Sequence, residues 1–205
     1  MQAGKEIQPS SDAPSLRQMT ASDFGDVARL QSGLLQNSAV TQLGIRFLIR
    51  FYRAALASER CEAFVACDAE GQVIGAALAT VDVAQFNAYV TPRITLPLLA
   101  SLSRRWGLAV RFLRGCFEER TSPRVAAELL LLFVDGRRQR AGTGKRLVQA
   151  VEDAFIRCGV TEYRVAFRSE IRTAEAFYAA NGFQHEEELT VLGRPMTYLR
   201  KQLTA

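Results

Sequence analysis

Residues 133–147 read Phe-Val-Asp-Gly-Arg-Arg-Gln-Arg-Ala-Gly-Thr-Gly-Lys-Arg-Leu. An apolar run, Leu129 to Val134, precedes the glycines, and an amphipathic stretch, Leu147 to Cys158, follows them. This order predicts a buried strand, a turn and a helix. The turn would place unpaired backbone amides at the positive end of the helix dipole, among arginines and a lysine. We therefore expect a phosphorylated ligand to bind here.

Two familiar phosphate-binding loops do not fit this turn. A Walker A loop has a glycine five residues before its Gly-Lys pair and a Ser or Thr after it. Gln139 and Arg146 stand at these two positions. A dinucleotide-binding fingerprint needs a glycine three residues after Gly144, where the chain has Leu147. The sequence therefore excludes both loops.

The segment Gln139 to Gly144, Gln-Arg-Ala-Gly-Thr-Gly, resembles the pyrophosphate-binding motif of the GNAT superfamily of N-acetyltransferases, which use acetyl-CoA. The resemblance implies that a backbone N–H near Phe133 or Val134 polarises the acetyl carbonyl. It also implies contacts to the pantetheine and pyrophosphate of acetyl-CoA from Phe133, Val134, Gln139, Arg140, Ala141, Gly142, Thr143, Gly144 and Lys145. The simpler alternative is an arginine-rich turn whose glycines serve the backbone geometry alone.

A second segment strengthens the resemblance. Residues 174–183 read Ala-Glu-Ala-Phe-Tyr-Ala-Ala-Asn-Gly-Phe, similar to a GNAT signature that ends in Gly-Phe. Thr173 to Ala180 is a good helix former, and Asn181-Gly182 predicts its end. The resemblance implies that Tyr178 donates a proton to the departing CoA thiolate; the alternative is a tyrosine packed in the core. Ile171 replaces the asparagine that the family usually has seven residues before the tyrosine.

Glu128 interrupts the apolar strand that leads to the turn. Burying a carboxylate costs free energy unless it has a partner. Burial also favours the protonated form, and a general base must take up a proton near neutral pH. Glu128 lies eleven residues before Gln139. This is similar to the position of the general-base glutamate in some protein-acetylating members of the family. We therefore expect Glu128 to be catalytic, and the alternative is a salt-bridged glutamate near the start of the strand.

The rest of the chain follows the order of elements that the resemblance implies. The sequence predicts a strand from Ser15 to Thr20, two helices up to Leu56, and a hairpin over residues 62–81. We expect an α/β (α+β) fold with a mixed, mostly antiparallel central sheet flanked by helices. Residues 83–123 predict a helical insertion between the fourth strand and the strand before it.

The insertion carries apolar residues and arginines that predict one or two amphipathic helices, broken near Pro97 and Gly107. It enters the fourth strand at the end opposite the phosphate turn. We therefore expect residues 92–119 to shape the acceptor pocket, although an extra packing layer or a dimer surface would explain the same pattern. The arginines favour an anionic acceptor, for instance an amino-sugar nucleotide.

Length and composition are those of one globular domain, because 48% of the 205 residues are hydrophobic and 23% are charged. We expect a disordered tail over residues 1–14 and a single GNAT-like domain over residues 15–205. Four cysteines and one histidine lack metal-ligand spacing, so we expect no metal and a reducing, cytoplasmic, bacterial setting. The net charge of +5 comes from arginines spread along the chain, so we expect no nucleic acid partner. No apolar run is long enough to predict a membrane span.

These observations predict an acyltransferase. It would move an acetyl group from acetyl-CoA to a primary amine by direct attack of the amine, with a small molecule such as an amino sugar as acceptor. The alternative is a catalytically silent domain that binds acyl-CoA for regulation or for assembly with a partner. A homodimer is left open.

Overall fold

A computed structural model describes residues 14–36, 38, 41–100, 125–138, 141–191 and 193–204. Only the backbone is described for residues 96–100, and the expected tail lies outside the described residues except for Pro14. Within the described residues, five α-helices and seven strands follow one another as β1 Ser15–Gln18, α1 Phe24–Leu34, α2 Ile45–Leu56, β2 Cys61–Cys67, β3 Val73–Thr80, α3 Val83–Ala100, β4 Ala127–Val134, α4 Thr143–Arg157, β5 Glu162–Arg168, α5 Arg172–Ala180, β6 Gln184–Val191 and β7 Arg194–Gln202.

The seven strands form one sheet in the order β1-β2-β3-β4-β5-β7-β6. Neighbouring strands are antiparallel with one exception, because β4 and β5 run parallel. A parallel pair needs a crossover, and helix α4 supplies it. The predicted α/β fold with a mixed, mostly antiparallel sheet is confirmed.

Each face of the sheet has its own hydrophobic core. Helices α1, α2 and α3 cover one face, which we call the α1–α3 face, with Val27, Leu48 and Phe86 in its core. Helices α4 and α5 cover the opposite face, the α4–α5 face, with Phe155 and Tyr178 in its core. The central strands are therefore buried on both sides, as the eight buried residues of β3 show.

The entry into α1 depends on one buried carboxylate. Asp23 accepts a hydrogen bond from the amide of Thr20 at 2.7 Å and forms a bidentate ion pair with Arg17 of β1. This pair and the amide bond lower the pKa of Asp23 to about 2. One turn of 3-10 helix over Ala21–Asp23 precedes α1, which begins at Phe24.

Helix α3 forms the first part of the expected insertion. It buries Val83, Phe86, Val90 and Ile94 on the α1–α3 face, at the spacing of three to four residues that a helix requires. The expected break near Pro97 is wrong, because α3 continues to Ala100. A proline removes one backbone hydrogen bond, which this helix accommodates without ending. The remainder of the insertion, with Gly107, lies outside the described residues.

Candidate active site

The candidate site begins where β4 and β5 part. The two strands pair through only three residues, the last being Leu129 with Val165. Both strands nevertheless continue, β4 to Val134 and β5 to Arg168. Between them, the strand residues that the structure describes make no further ladder pairs, so a wedge opens toward the turn after β4. An extended ligand arm placed in this wedge would meet backbone groups of β4, as an added strand would.

A β-bulge lies at the apex of this wedge. Leu130 is the extra residue of β4, because the pairing with β3 shifts by one between Leu129 and Leu131. A bulge re-aims the backbone groups of its strand. The amides at the bulge are therefore the β4 amides nearest to a group held at the apex.

Beyond the bulge, the backbone of β4 faces alternately toward β3 and toward the wedge. The amide of Asp135 donates to the carbonyl of Ile74 on β3 at 2.7 Å. Polar backbone groups of successive strand residues point to opposite sides, so Phe133 faces β3, whereas Leu132 and Val134 face the wedge. Of the two predicted residues, Val134 has its backbone at the wedge and Phe133 has its backbone turned away from it.

The predicted phosphate turn leads into helix α4. Gly142 has a φ of +77°, a left-handed conformation that favours glycine, and it directly precedes the helix. The amide of Arg146 donates to the carbonyl of Gly142 at 3.0 Å. The amides of Thr143, Gly144 and Lys145 come before this bond and have no acceptor within the helix. This end of the helix therefore offers hydrogen-bond donors and a positive dipole.

The donor set fits the pyrophosphate of a CoA molecule. The hydroxyl of Thr143 is buried and has no hydrogen-bond partner among the residues that the structure describes. Ala141, Gly142 and Lys145 are exposed, and a Cβ added to Gly142 would meet no atom within 4 Å, so the approach to the amides is open. Gln139 and Arg140 lie outside the described residues.

Gly144 brings the two sequence motifs together. A Cβ at this position would come within 3.3 Å of Cε2 of Phe177 on α5 and within 3.9 Å of Cγ2 of Val134. A side chain at this position would press on the ring of Phe177, so glycine favours the close approach of α4 to α5. The phosphate turn and the helix of Tyr178 are therefore neighbours.

Tyr178 lies in an aromatic cluster on the splayed half of β5. Its ring stacks on Phe167 at a centroid distance of 5.6 Å, and Phe177 and Phe183 meet it edge-on at 5.2 and 5.1 Å. Burial raises the pKa of Tyr178 above the ordinary tyrosine value, so the phenol keeps its proton at neutral pH. The position combines core packing with a protonated acid beside the wedge.

Glu128 is buried and forms an ion pair with Arg164 of β5. The two residues are register partners in the parallel ladder, one position before the strands part. Arg164 Nε donates to Glu128 Oε2 at 2.9 Å, and both side chains are about 95% buried or more. Arg164 also lies over the ring of Tyr198 on β7, with 4.9 Å from Cζ to the ring centroid. The salt-bridged arrangement considered for Glu128 is thus the one observed, at the apex of the wedge.

Glu128 and Tyr178 lie on opposite faces of the sheet. Leu129, the neighbour of Glu128, belongs to the core of the α4–α5 face, so the Glu128 side chain is on the α1–α3 face. Tyr178 belongs to the α4–α5 core. The Glu128 carboxylate and the Tyr178 side chain are therefore separated by the sheet.

Sequence reasoning missed Arg164. In β5, Tyr163, Val165 and Phe167 alternate with Arg164, Ala166 and Arg168, a pattern typical of a strand with one face exposed. Both faces are covered, however, and Arg164 is 2% exposed. The available signal was a pair of opposite charges in two neighbouring strands, Glu128 and Arg164, but it could be used only with the strand register known.

The expected acceptor segment, residues 92–119, is described only in part, because residues 101–119 lie outside the described residues. Ile171, in the place of the family's asparagine, directly precedes α5 and is 39% exposed. None of the described helices combines the length and apolar character that crossing a membrane requires.

Comparisons with known proteins agree with this geometry. The family model of the acetyltransferase (GNAT) domain matches residues 120–201. No curated protein matches the sequence. Among solved structures, SsHAT is similar over 94% of this chain and 100% of its own, with 24% identity and a TM-score of 0.71. Ard1 from Thermoplasma volcanium covers 94% of this chain and 99% of its own, with 17% identity and a TM-score of 0.61.

A third similar structure is the PaiA N-acetyltransferase from Thermoplasma acidophilum in complex with coenzyme A. It covers 93% of this chain and 99% of its own, with 14% identity and a TM-score of 0.61. At these identities the structures establish the fold alone. The chain therefore has the fold of these solved acetyltransferases, and residues 120–201 are similar to the acetyltransferase (GNAT) domain.

Proposed function

We propose that this protein is an acetyl-CoA-dependent N-acetyltransferase. The observation that carries the proposal is the wedge between β4 and β5, which leads from the buried Glu128 to the amides at the start of α4. A ligand with a long arm and a pyrophosphate fits both ends of this path. The family match at residues 120–201 supports acyltransferase activity.

The residues that would hold acetyl-CoA form two groups, one for the pantetheine arm and one for the pyrophosphate. Val134 would bind the pantetheine arm through its backbone, and Phe133 would contribute through packing, because its backbone faces β3. The pyrophosphate would be held at the turn by Gln139, Arg140, Ala141, Gly142, Thr143, Gly144 and Lys145. Polarisation of the acetyl carbonyl, first expected near Phe133 or Val134, is better served by the amides at the bulge around Leu130, which lie nearest the apex.

Bound acetyl-CoA supplies an acetyl thioester at the apex. The acceptor amine is mostly an ammonium ion at neutral pH, and it must lose a proton before it can attack. We assign this proton to Glu128, directly or through water, with Arg164 fixing the carboxylate at its Oε2 atom. The amine then arrives from the α1–α3 face, where Glu128 lies.

Tyr178 is the proton donor for the leaving thiolate. It stands on the opposite face of the sheet, and burial keeps it protonated. As the new N–C bond forms and the C–S bond breaks, its proton goes to sulfur, and the proton taken by Glu128 returns to the phenol through solvent. No covalent intermediate on the protein is needed.

The acceptor that we propose is a primary amine on a small molecule, with amino sugars as one class to be tested. The compartment that we propose is the cytoplasm, which suits the free thiols of Cys61, Cys67 and Cys158. Residues 92–119 remain our candidate for the acceptor pocket, and whether the chain forms a homodimer stays an open part of the proposal.

A catalytically silent acyl-CoA-binding domain is the second candidate. The specific observation in its favour is the Glu128–Arg164 ion pair, which would also serve as a purely structural contact. The two candidates differ in whether bound acetyl-CoA is consumed.

The test is thiol release from acetyl-CoA in the presence of a panel of primary amines. We expect amine-dependent release in which Tyr178→Phe lowers kcat about 100-fold while the protein still binds acetyl-CoA. The matched control is Tyr163→Phe, a buried tyrosine on the same face, which should leave kcat unchanged. Binding of acetyl-CoA without amine-dependent release from any member of the panel would favour the silent domain.

A further inference from the structure

Arg164 has a nitrogen that the described residues leave unpaired. Its Nε donates to Glu128, and its guanidinium carbon lies over the ring of Tyr198. Its Nη2 is buried and has no hydrogen-bond partner in the part of the chain that the structure describes. The residue is 2% exposed, so bulk water does not replace the missing partner.

An unpaired nitrogen of a buried guanidinium is costly. Arginine remains charged at every relevant pH, and each of its N–H groups can only donate. A buried donor without an acceptor destabilises the protein, and the cost is larger when the donor belongs to a charged group. By contrast, the Nε bond to Glu128 shows that the same guanidinium is well paired on the neighbouring nitrogen. Since none of the described residues supplies an acceptor for Nη2, a bound molecule is the candidate acceptor.

The position of Nη2 places that molecule in the acceptor site. Arg164 pairs with Glu128 one residue before the last ladder pair between β4 and β5, beyond which the wedge opens. Both side chains lie on the face from which the amine would arrive. Nη2 and Nε share one guanidinium carbon, so a group bound at Nη2 lies within a few ångströms of the Glu128 carboxylate. One small molecule can therefore contact both residues.

Charge balance selects the chemical class. The Glu128–Arg164 pair is neutral as a unit, and adding a lone anion beside Glu128 would leave a net negative charge in a buried site. A molecule with an ammonium group next to a carboxylate is itself neutral. Its ammonium group meets Glu128, and its carboxylate meets the guanidinium, the charge-assisted contact that arginine forms best.

We propose that the acceptor is an amine with a neighbouring carboxylate, as in a free α-amino acid, and that Arg164 Nη2 binds this carboxylate. The inference rests on the proposed N-acetyltransferase function and narrows its acceptor class. Arg164 is then a specificity-determining residue, because an uncharged amine of similar size leaves Nη2 without an acceptor.

The first test uses the unmodified protein with acetyl-CoA and pairs of acceptors. Each pair consists of an L-amino acid and its α-carboxamide, and glucosamine is included as an amine without a carboxylate. We expect the preferred amino acid to exceed its amide about 10- to 100-fold in kcat/KM, the range of one hydrogen bond to a charged group. We also expect the amino acid, and not its amide, to raise the melting temperature in the presence of CoA.

The second test changes Arg164, the residue proposed to distinguish the amino acid from its amide. Arg164→Lys keeps a positive charge beside Glu128 but removes the planar pair of nitrogens, so the preference for the acid over the amide should disappear. The matched control is Arg200→Lys, because Arg200 is the register partner of Arg164 on β7 but is exposed and pairs with Glu162. The control should keep the full preference.

The outcomes separate this inference from the proposed function. No amine-dependent thiol release with any acceptor would mean that the N-acetyltransferase function itself is wrong. Release with equal rates for acids and amides, or with glucosamine preferred, would overturn the carboxylate inference and leave the function standing. An acid preference that survives Arg164→Lys would assign the carboxylate to another residue and would also overturn the inference.

Discussion

Two buried glutamates, one on each face of the sheet, are bound in different ways. On the α4–α5 face, Glu152 of α4 accepts hydrogen bonds at Oε1 from the hydroxyl of Tyr163 and from Nζ of Lys201, both at 2.6 Å. On the α1–α3 face, Glu128 pairs with Arg164, whose Nη2 has no acceptor in the described chain. Both carboxylates are buried beside a cation. The cation beside Glu152 is Lys201, which donates to that glutamate, whereas the cation beside Glu128 is Arg164, which has one nitrogen without an acceptor in the described chain.

The difference separates a structural cluster from a functional one. Buried polar groups are retained when all are hydrogen-bonded, and an incompletely paired group is expensive. The cluster of Glu152 ties α4 to β5 and β7 on the α4–α5 face, opposite the face on which Glu128 lies. The cluster of Glu128 stands at the apex itself, where a substrate would complete it.

The largest effect should come from shortening each glutamate by one methylene. Glu128→Asp keeps a charge for Arg164 but withdraws the carboxylate from the amine, and a misplacement of about 1 Å can cost about 100-fold in rate. Glu152→Asp makes the same change in the other cluster, so we expect its kcat/KM to stay near that of the unmodified protein. Steady-state thiol release measures both variants.

Melting curves are the control for this pair, because both variants should remain folded. Equal losses of activity in Glu128→Asp and Glu152→Asp would show that the rate reports on stability alone. That result would remove the distinction between the two clusters.

A smaller effect, on stability alone, should follow Tyr163→Phe. The variant removes a hydrogen bond to a buried carboxylate, which is worth about 1.5–3 kcal/mol of unfolding free energy. Lys201 still pairs with Glu152, so the charge does not become isolated. Urea unfolding measures the loss, and a variant that unfolds at the urea concentration of the unmodified protein would show that this cluster does not stabilise the fold.

The smallest effect concerns Asp23, a third buried carboxylate, which lies away from the wedge. Its pKa is lowered from 3.8 to about 2, chiefly by the hydrogen bond and ion pair with Arg17. A lowered pKa stabilises the fold above pH 3.8, and the contribution is lost as the pH falls through about 2. Asp23→Asn should therefore cost roughly 2 kcal/mol at pH 7, since one unit of pKa corresponds to about 1.4 kcal/mol.

Urea unfolding at a series of pH values checks this prediction. The difference between Asp23→Asn and the unmodified protein should shrink between pH 4 and pH 2, while kcat at pH 7 remains unchanged. A difference that is constant over this range would mean that the ion pair with Arg17 does not stabilise the folded state.

The sequence predicted most of the fold because its signals are local. The apolar run before the turn, the glycine at 142 and the Asn181-Gly182 stop each specify a strand, a turn or a helix end within a few residues. The same reasoning failed at Pro97, because a proline weakens a helix at one bond and packing at Val90 and Ile94 maintains α3 around it.

The candidate site was predictable at its two motifs and not between them. Glu128 was identified from its place in an apolar strand and its spacing to Gln139, and Tyr178 from the resemblance to a GNAT signature. The structure places the two side chains on opposite faces of the sheet. The partner of Glu128 could not be identified, because Arg164 is 36 residues away and meets it only through the register of two parallel strands. Long-range register is a property of the assembled sheet.

We propose that the wedge and the turn at Gly142 bind acetyl-CoA. A thermal melt with and without saturating acetyl-CoA tests this binding. At a hundredfold excess over Kd, binding contributes about 2.7 kcal/mol, which should raise the melting temperature by roughly 5–10 °C. Gly142→Glu should abolish the shift by placing a negative charge at the phosphate turn. Gly159→Glu is the matched control, since Gly159 has nearly the same φ, +75°, at the other end of α4.

We expect acetyl-CoA to raise the melting temperature of the unmodified protein and of Gly159→Glu, and to leave that of Gly142→Glu unchanged. Both variants should lose a similar amount of stability without ligand, because each forces a side chain into a left-handed conformation. An unchanged melting temperature in the folded, unmodified protein would contradict acetyl-CoA binding at this site. The same conclusion would follow if acetyl-CoA raised the melting temperature of Gly142→Glu as much as that of the unmodified protein.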